Sequence, residues 1–183
     1  MATGAIVGDH KQPPVNATAA DDLFFKEVMA KHSRLISRIA LSFEADPALR
    51  RELVQDILLA VWRALGSYRG QSSLKTFVAS IAQKRSISHV TKRTREPTQV
   101  ALPDDLVSLA LPPDEVAMRN DMRKQLVEAI QRLPIPQREA IVLMLEEFNH
   151  AEVAEVLGIS INAATLRCQR AKASLKDALG HLS

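Results

Sequence analysis

The residues from Asn149 to Leu175 carry the side chains of this chain best suited to binding chemistry, arranged along two short predicted helices. Asn149 is a favoured N-cap, and Glu152 three residues later gives a partial capping box. Gly158 permits the left-handed backbone that ends a helix, and Ser160 can cap the next one. The pattern predicts a helix-turn-helix, a motif whose second helix enters the major groove of DNA.

The second helix of this motif has two unlike faces. The predicted buried stripe consists of Ile161, Ala164, Cys168, Ala171 and Leu175. The opposite side carries Asn162, Thr165, Gln169 and Arg170. The segment from Ile161 through Lys176 contains four cations and no acid. DNA binding explains this distribution, and an ordinary helical hairpin with a solvated basic face is the simpler alternative.

Composition narrows the fold class. The 183 residues suffice for one or two domains, and 4% aromatic residues with six glycines disfavour an all-β fold. Residues that favour helix dominate, so we predict an all-α protein. A single cysteine excludes an internal disulfide and suits a reducing compartment. No apolar run reaches the ~18 residues of a membrane span, and the N-terminus lacks a signal core, so we expect a cytoplasmic protein without direct membrane insertion.

The net charge of +3 is unevenly distributed. Residues 21–95 contain 14 Lys and Arg against 7 Asp and Glu, whereas residues 96–183 contain 9 against 13. A polyanionic partner for the first part would explain the asymmetry. Mutual attraction between the two parts would explain it equally well.

Proline, glycine and periodicity divide the chain. Residues 1–20 lack periodicity and are predicted to be a disordered tail. Helical stripes fill residues 21–95, with Phe24, Val28, Leu35, Ile39 and Phe43 on the first helix and Leu53, Ile57, Ala60, Val61, Ala64 and Leu65 on the second. Residues 96–113 contain four prolines and are predicted to be a flexible linker. Helical periodicity resumes over 114–183, so we expect two small helical domains.

Several short motifs, in order, resemble one known family. The first domain contains ELVQDILLAVWRAL (Glu52–Leu65), YRG (Tyr68–Gly70), SSLKTF (Ser72–Phe77) and the pair Ile81-Ala82. The second contains LPIPQREAIVL (Leu133–Leu143), EVAEVLGIS (Glu152–Ser160) and the pair Arg170-Ala171. Their order and spacing over residues 21–180 resemble the extracytoplasmic-function (ECF) group of bacterial RNA polymerase sigma factors, with a region 2 bundle and a region 4 helix-turn-helix bundle.

The resemblance implies three partners: core RNA polymerase, promoter DNA in double-stranded and melted form, and an anti-sigma factor. Region 2 of the family docks on the clamp helices of the largest polymerase subunit. The candidate docking residues here are Gln55, Asp56, Leu59 and Trp62. Trp62 is equally well explained as a core residue.

Region 2 of the family also opens the minus-10 element, which requires backbone cations and a pocket for a flipped base. The candidate residues are Ser72, Ser73, Lys75, Thr76, Lys84, Arg85, Ser88, His89, Lys92 and Arg93. Lys84 stands where the family commonly has Asn, and Ser88 where it frequently has Asp. These departures favour phosphate contact over base recognition.

Region 4 of the family recognises the minus-35 element. The candidate residues are Arg138, Asn162, Ala163, Thr165, Leu166, Arg167, Gln169, Arg170 and Lys172. Asn162, Thr165, Leu166 and Gln169 suit base edges, because amides can pair with adenine and apolar groups can meet a thymine methyl. The cations of the set suit phosphates. Residues 163–166 depart from the family pattern, so no promoter sequence is inferred.

The sequence contains no convincing catalytic set, metal-ligand spacing or glycine-rich phosphate loop, so we expect neither an enzyme nor a cofactor. Two alternatives compete with a sigma factor. A stand-alone helix-turn-helix regulator would not need the ELVQDILLAVW helix. A decoy that sequesters an anti-sigma factor would not need uninterrupted basic faces.

Overall fold

The computed structural model describes residues 19–95 and 113–180, which form seven α-helices and no strand. Their bounds are α1 Ala19–Phe43, α2 Pro47–Leu65, α3 Leu74–Arg95, α4 Pro113–Arg132, α5 Ile135–Leu145, α6 His150–Leu157 and α7 Ile161–Leu179. The predicted all-α class is confirmed. The predicted tail, apart from its last two residues, and the predicted linker, apart from Pro113, lie outside the described residues.

The corner between α1 and α2 is fixed by local polar contacts. Asp46 caps α2, because its carboxylate accepts hydrogen bonds from the amides of Ala48 at 2.8 Å and Leu49 at 2.9 Å. Pro47 follows at the first helical position, where its missing N–H costs nothing.

Helices α1, α2 and α3 enclose the core of residues 19–95, which we call the first half. Its buried side chains include Ile36 and Ile39 of α1, Leu53, Ile57 and Val61 of α2, and Val78 and Ala82 of α3. Most predicted stripe residues of α1 are buried as expected, but Phe24 is exposed. The prediction for Phe24 is wrong because its neighbour Phe25 lies on the side of α1 that packs against the core.

We call residues 113–180 the second half. Within it, α5 packs against α4, α6 and α7. Four consecutive residues of α5, Ala140 to Leu143, are buried. The stripe Ala164, Cys168, Ala171 and Leu175 of α7 is also buried, as predicted. Ile161 is 55% exposed, contrary to the prediction. With 3.6 residues per turn, Ile161 lies at the margin of the stripe, and it begins the helix.

The turn between α6 and α7 follows the local chemistry of the sequence closely. Asn149 accepts hydrogen bonds from the amides of Ala151 and Glu152, and the Glu152 carboxylate accepts one from the Asn149 amide at 2.8 Å. The capping box is therefore complete. Gly158 ends α6 with φ of 64°, and Ser160 caps α7 through the amide of Ala163.

The two halves pack against each other and share one apolar core. Helix α1 contacts α4 and α5, and α3 contacts α5 and α6. Side-chain amides bridge the boundary: Gln131 donates to the Leu41 carbonyl at 2.7 Å, and Gln83 donates to the Glu139 carbonyl at 3.3 Å. The expectation of two domains on a flexible tether did not include this shared core.

Glu44 ties the α1–α2 corner to α3. Its carboxylate is almost completely buried and accepts hydrogen bonds from the Asp46 amide at 2.9 Å, from His89 Nε2 at 2.7 Å and from the Arg93 guanidinium. Burial opposes ionisation, but the hydrogen bonds from Arg93 and His89 outweigh it and hold the pKa of Glu44 below its usual range.

This arrangement predicts that Glu44→Gln lowers the free energy of unfolding by about 1.5–3 kcal/mol at pH 7, as for hydrogen bonds to charged groups. A depressed folded-state pKa means that the stabilisation is present above the unfolded pKa of about 4.3. It is then lost as pH falls through the folded value. Urea unfolding at pH 7 and pH 3 measures both effects, and the difference between wild type and variant should shrink at pH 3.

The matched control is Glu27→Gln, which removes a carboxylate paired with Lys31 on the exposed side of α1. This pair is open to water, so the control should change stability little. A Glu44→Gln effect that is no larger than that of Glu27→Gln, or that is equal at both pH values, would contradict the assignment.

Candidate nucleic-acid and protein interfaces

Helix α7 presents a continuous polar face to solvent. Asn162, Gln169, Arg170 and Lys172 are exposed, and Leu166 is 46% exposed between them. Because the other side of α7 is buried against α5 and α6, the face is rigidly supported. It combines amides that can pair with base edges, an apolar side chain and cations that suit phosphates.

Two candidate residues of α7 are less available. Thr165 is half-buried, and its hydroxyl donates to the Ile161 carbonyl at 2.9 Å. Ala163 is half-buried, and its amide donates to the Ser160 cap. Both residues therefore serve the start of the helix itself, and Asn162 with Gln169 remain the better candidates for base contact.

The predicted phosphate ligands Arg138 and Arg167 are engaged inside the protein. The Arg138 guanidinium donates to the backbone carbonyls of Gln131 and Leu133, and lies 5.4 Å from the ring centroid of Phe43. Arg167 lies 3.9 Å from the Glu139 carboxylate. These contacts give Arg138 a structural role within the second half and against Phe43 of the first, and its phosphate contact stays a prediction.

Burial also affects the pKa of the Glu139 carboxyl, which faces Arg167. Desolvation raises the pKa of Glu139, and the nearby Arg167 guanidinium partly opposes this shift. The pair spans α5 and α7, so it helps to set the position of the exposed face of α7.

Among the predicted cations of α3, Lys84, Arg85 and Lys92 are exposed. Ser88 is exposed near them, and its hydroxyl donates to the Lys84 carbonyl at 3.0 Å. His89 and Arg93 belong to the same predicted set, but both face Glu44. The cations available to a nucleic acid on this side are thus fewer than the sequence predicted.

The hydroxyls near the start of α3 hold the loop before it. Ser73 Oγ accepts the Thr76 amide at 3.0 Å and lies 2.9 Å from Thr76 Oγ1. The Ser72 carbonyl accepts the Tyr68 hydroxyl at 2.5 Å, and the Tyr68 ring lies 4.9 Å from that of Phe77. Thr76 is buried, so a direct contact of its side chain with a base or phosphate is not favoured.

Lys75 points toward the second half. Its Nζ donates to the Glu146 carbonyl at 2.7 Å and lies 4.2 Å from the ring centroid of Phe148. The Glu146 carboxylate in turn accepts hydrogen bonds from Arg38 of α1, with both N–O distances at 3.1 Å. Glu146 and Phe148 could not be recognised as functional residues from the sequence, because nothing local connects them to Lys75.

A second surface lies on α2. Gln55 and Asp56 are exposed, and Leu59 is 44% exposed beside them. Trp62 is half-buried, so it contributes both to packing and to this surface. An exposed leucine next to a partly exposed tryptophan and a carboxylate suits a protein partner with a basic, partly apolar surface.

Within residues 19–95 and 113–180, no group of three or more His, Cys, Asp or Glu residues is arranged to hold a metal ion. None of the helices in these two ranges is long and apolar enough to cross a membrane.

Comparison with known proteins identifies both halves. The Sigma-70 region 2 family model matches residues 28–96, and the Sigma-70 region 4 model matches residues 123–175. The ECF RNA polymerase sigma factor SigM of Mycobacterium tuberculosis is 28% identical over 171 residues, which cover 90% of this chain and 82% of that protein. The RNA polymerase sigma factor CarQ of Myxococcus xanthus is 26% identical and covers 86% of this chain and 90% of its own.

Two solved structures share the fold. CnrH, solved in complex with the cytosolic domain of CnrY, has a TM-score of 0.66 and 23% identity, covering 88% of this chain and 91% of its own. The sigma factor RpoE of Bartonella quintana, solved with the anti-sigma factor NepR, has a TM-score of 0.68 and 24% identity, covering 86% and 97%. Because both family models match in chain order and the relatives align along most of the sequence, the chain belongs to the ECF group of sigma-70 RNA polymerase sigma factors.

Proposed function

We propose that this sigma factor docks on core RNA polymerase through α2 and contacts promoter DNA through α3 and α7. The observation that carries the proposal is the presence of an exposed acidic and apolar surface on α2 together with an exposed amide and cation face on α7. The chain then acts as an initiation factor in the cytoplasm, and the polymerisation chemistry belongs to the core enzyme rather than to this protein.

Docking is assigned to Gln55, Asp56, Leu59 and Trp62. These residues recur on one side of α2, while Leu53, Ile57 and Val61 are buried on the other. A surface of this kind lets a partner bury Leu59 and part of Trp62 while pairing a cation with Asp56. The clamp helices of the largest polymerase subunit are the proposed partner.

Asp56→Arg should weaken binding to core polymerase by about tenfold or more, which corresponds to about 1.4 kcal/mol. The reason is that a cation replaces the only acid among the four docking residues. The helix content should stay unchanged because Asp56 is exposed. Fluorescence titration of labelled sigma factor with core enzyme measures the affinity.

Asp177→Arg is the matched control, since it makes the same change in charge at an exposed position of α7. The control should assemble holoenzyme like the wild type. Equal affinities for wild type and Asp56→Arg, or an equal loss in both variants, would reject the docking surface.

Promoter contact is divided between two helices. Lys84, Arg85 and Lys92 of α3 are proposed to hold phosphates near the minus-10 element, with Ser72 and Ser73 in the adjoining loop. Asn162, Gln169 and Leu166 of α7 are proposed to contact bases of the minus-35 element, while Arg170 and Lys172 contact phosphates.

This division predicts two different phenotypes. Asn162→Ala or Gln169→Ala should lose about 1–3 kcal/mol of discrimination at one promoter position. Arg170→Ala should instead weaken binding to all sequences and reduce the salt dependence by about one unit of slope. Transcription of a randomised promoter library by holoenzyme and a salt titration of DNA binding measure the two effects.

Ser174→Ala is the control: Ser174 is exposed one turn beyond Arg170 and away from Asn162 and Gln169, and the change should leave both readouts unchanged. If Asn162→Ala, Gln169→Ala and Arg170→Ala all lose transcription activity without any change in promoter preference, base recognition by α7 is refuted.

We also propose control by an anti-sigma factor, because the Bartonella quintana sigma factor RpoE was solved in complex with the anti-sigma factor NepR. The partner would cover the α2 docking surface and part of the second half, thereby blocking polymerase. Hydrogen exchange on a complex purified from the native host should show protection on both halves. Protection confined to one half, or no stoichiometric partner in uninduced cells, would exclude this mode.

A further inference from the structure

We propose that Ile161 determines promoter specificity by contacting the C5-methyl group of a thymine in the minus-35 element. Ile161 is the first residue of α7, and it is 55% exposed. The inference rests on the proposed function, because it concerns the same face of α7. It adds an apolar base contact at a residue that the sequence predicted to be buried.

The core of the second half does not include Ile161. Ile159, in the turn between α6 and α7, packs against that core, and so do Ala164 and Cys168 farther along α7. Among the described residues, the packing of α7 therefore does not depend on a large side chain at position 161. An aliphatic side chain left in water forgoes the free energy of burial, which a partner that covers it can recover.

Local hydrogen bonds hold the backbone around Ile161 in one conformation. The Ser160 hydroxyl accepts the Ala163 amide at 3.2 Å, which caps the helix. The Ile161 carbonyl accepts the Thr165 hydroxyl at 2.9 Å. The branched Cβ of isoleucine also restricts its χ1 angle. The side chain is therefore presented in few orientations, so covering it costs little conformational entropy.

The chemistry of the exposed side of α7 suits the major groove of DNA. Asn162 and Gln169 are exposed amides, and the segment from Ile161 through Lys176 contains no acid. In the major groove, the C5-methyl group of thymine is an apolar group among the donors and acceptors of the base edges. The first residues of a recognition helix are those that contact base edges. An aliphatic side chain at this position is complementary to a thymine methyl.

Ile161 and Gln169 should contact different base pairs. They are eight residues apart in the sequence. At 1.5 Å per residue they are separated by about 12 Å along the helix axis. Successive base pairs are about 3.4 Å apart, so a helix that follows the groove places these side chains about three base pairs apart. The thymine preference that depends on Ile161 should therefore appear at a promoter position of its own.

A randomised promoter library transcribed by holoenzyme tests this contact. Ile161→Ala should lose the preference for thymine at one position, and Gln169→Ala should keep it there. Ile161→Val retains the branched Cβ and should keep most of the preference. Because Ile161 is exposed, thermal unfolding followed by circular dichroism should show little change in stability for either Ile161 variant.

Deoxyuridine at that position removes the thymine methyl and nothing else. In the preferred promoter it should weaken binding of wild-type holoenzyme by about fourfold in a mobility-shift titration, as expected for one buried carbon. Ile161→Ala should bind the thymine promoter more weakly, and deoxyuridine should weaken it no further. Leu145→Ala removes another half-exposed aliphatic side chain, on α5, and should behave like the wild type on both promoters.

Equal sensitivity of wild type and Ile161→Ala to deoxyuridine would overturn the contact, as would a preference for another base at that position. An equal loss of transcription at all promoters would also overturn it, because Ile161 would then act on polymerase rather than on a base. If Gln169→Ala changes promoter preference and Ile161→Ala does not, this inference fails and the proposed function stands. If neither variant changes the preference, the proposed role of α7 fails as well.

Discussion

Helix α3 is packed by both halves of the molecule, and this constraint decides which of its cations can meet a ligand. Val78, Ala79 and Ala82 are completely buried, and Gln83 bonds across the boundary to the Glu139 carbonyl. A helix covered by α1 and α2 on one side and by α5 and α6 on another has only a narrow free surface. The exposed cations Lys84, Arg85 and Lys92 lie on that surface, and the geometry of any nucleic acid bound there must follow it.

The uneven charge of the chain had two explanations in the sequence, and the packing accommodates both. In the first half, Glu44 engages His89 and Arg93 internally, while Arg38 and Lys75 contact the second half. Attraction between the halves therefore accounts for part of the positive charge. The remaining exposed cations of α3 account for the part that is available to a polyanion.

The helix caps and the turn between α6 and α7 could be predicted from the sequence, because the residues that form them lie within a few positions of one another. The Asn149 cap, the left-handed Gly158 and the Ser160 cap all act within one turn of helix, and each was found as expected. The buried stripe of α7 was also predictable, except at its margin, where Ile161 is exposed. Contacts between distant segments were not predictable in the same way. Glu44 meets His89 and Arg93 across 45 and 49 residues, and Lys75 meets Glu146 across 71.

For function, this means that the type of a side chain alone overestimates how many cations are free to bind a phosphate. Arg138, Arg93 and Lys75 carry the charge that phosphate contact requires, yet each is engaged with a carbonyl, a carboxylate or an aromatic ring of the protein. A cation that already has such partners must lose them before it can bind a phosphate, so its net contribution to affinity is smaller than that of a free one. The polar face of α7 has no comparable contact at Asn162 or Gln169 among the described residues, and its helix is fixed from behind by a buried stripe. A ligand that meets the exposed face of α7 therefore displaces no such contact at these two residues, whereas Arg93 and Lys75 must first give up their contacts with Glu44 and with Glu146.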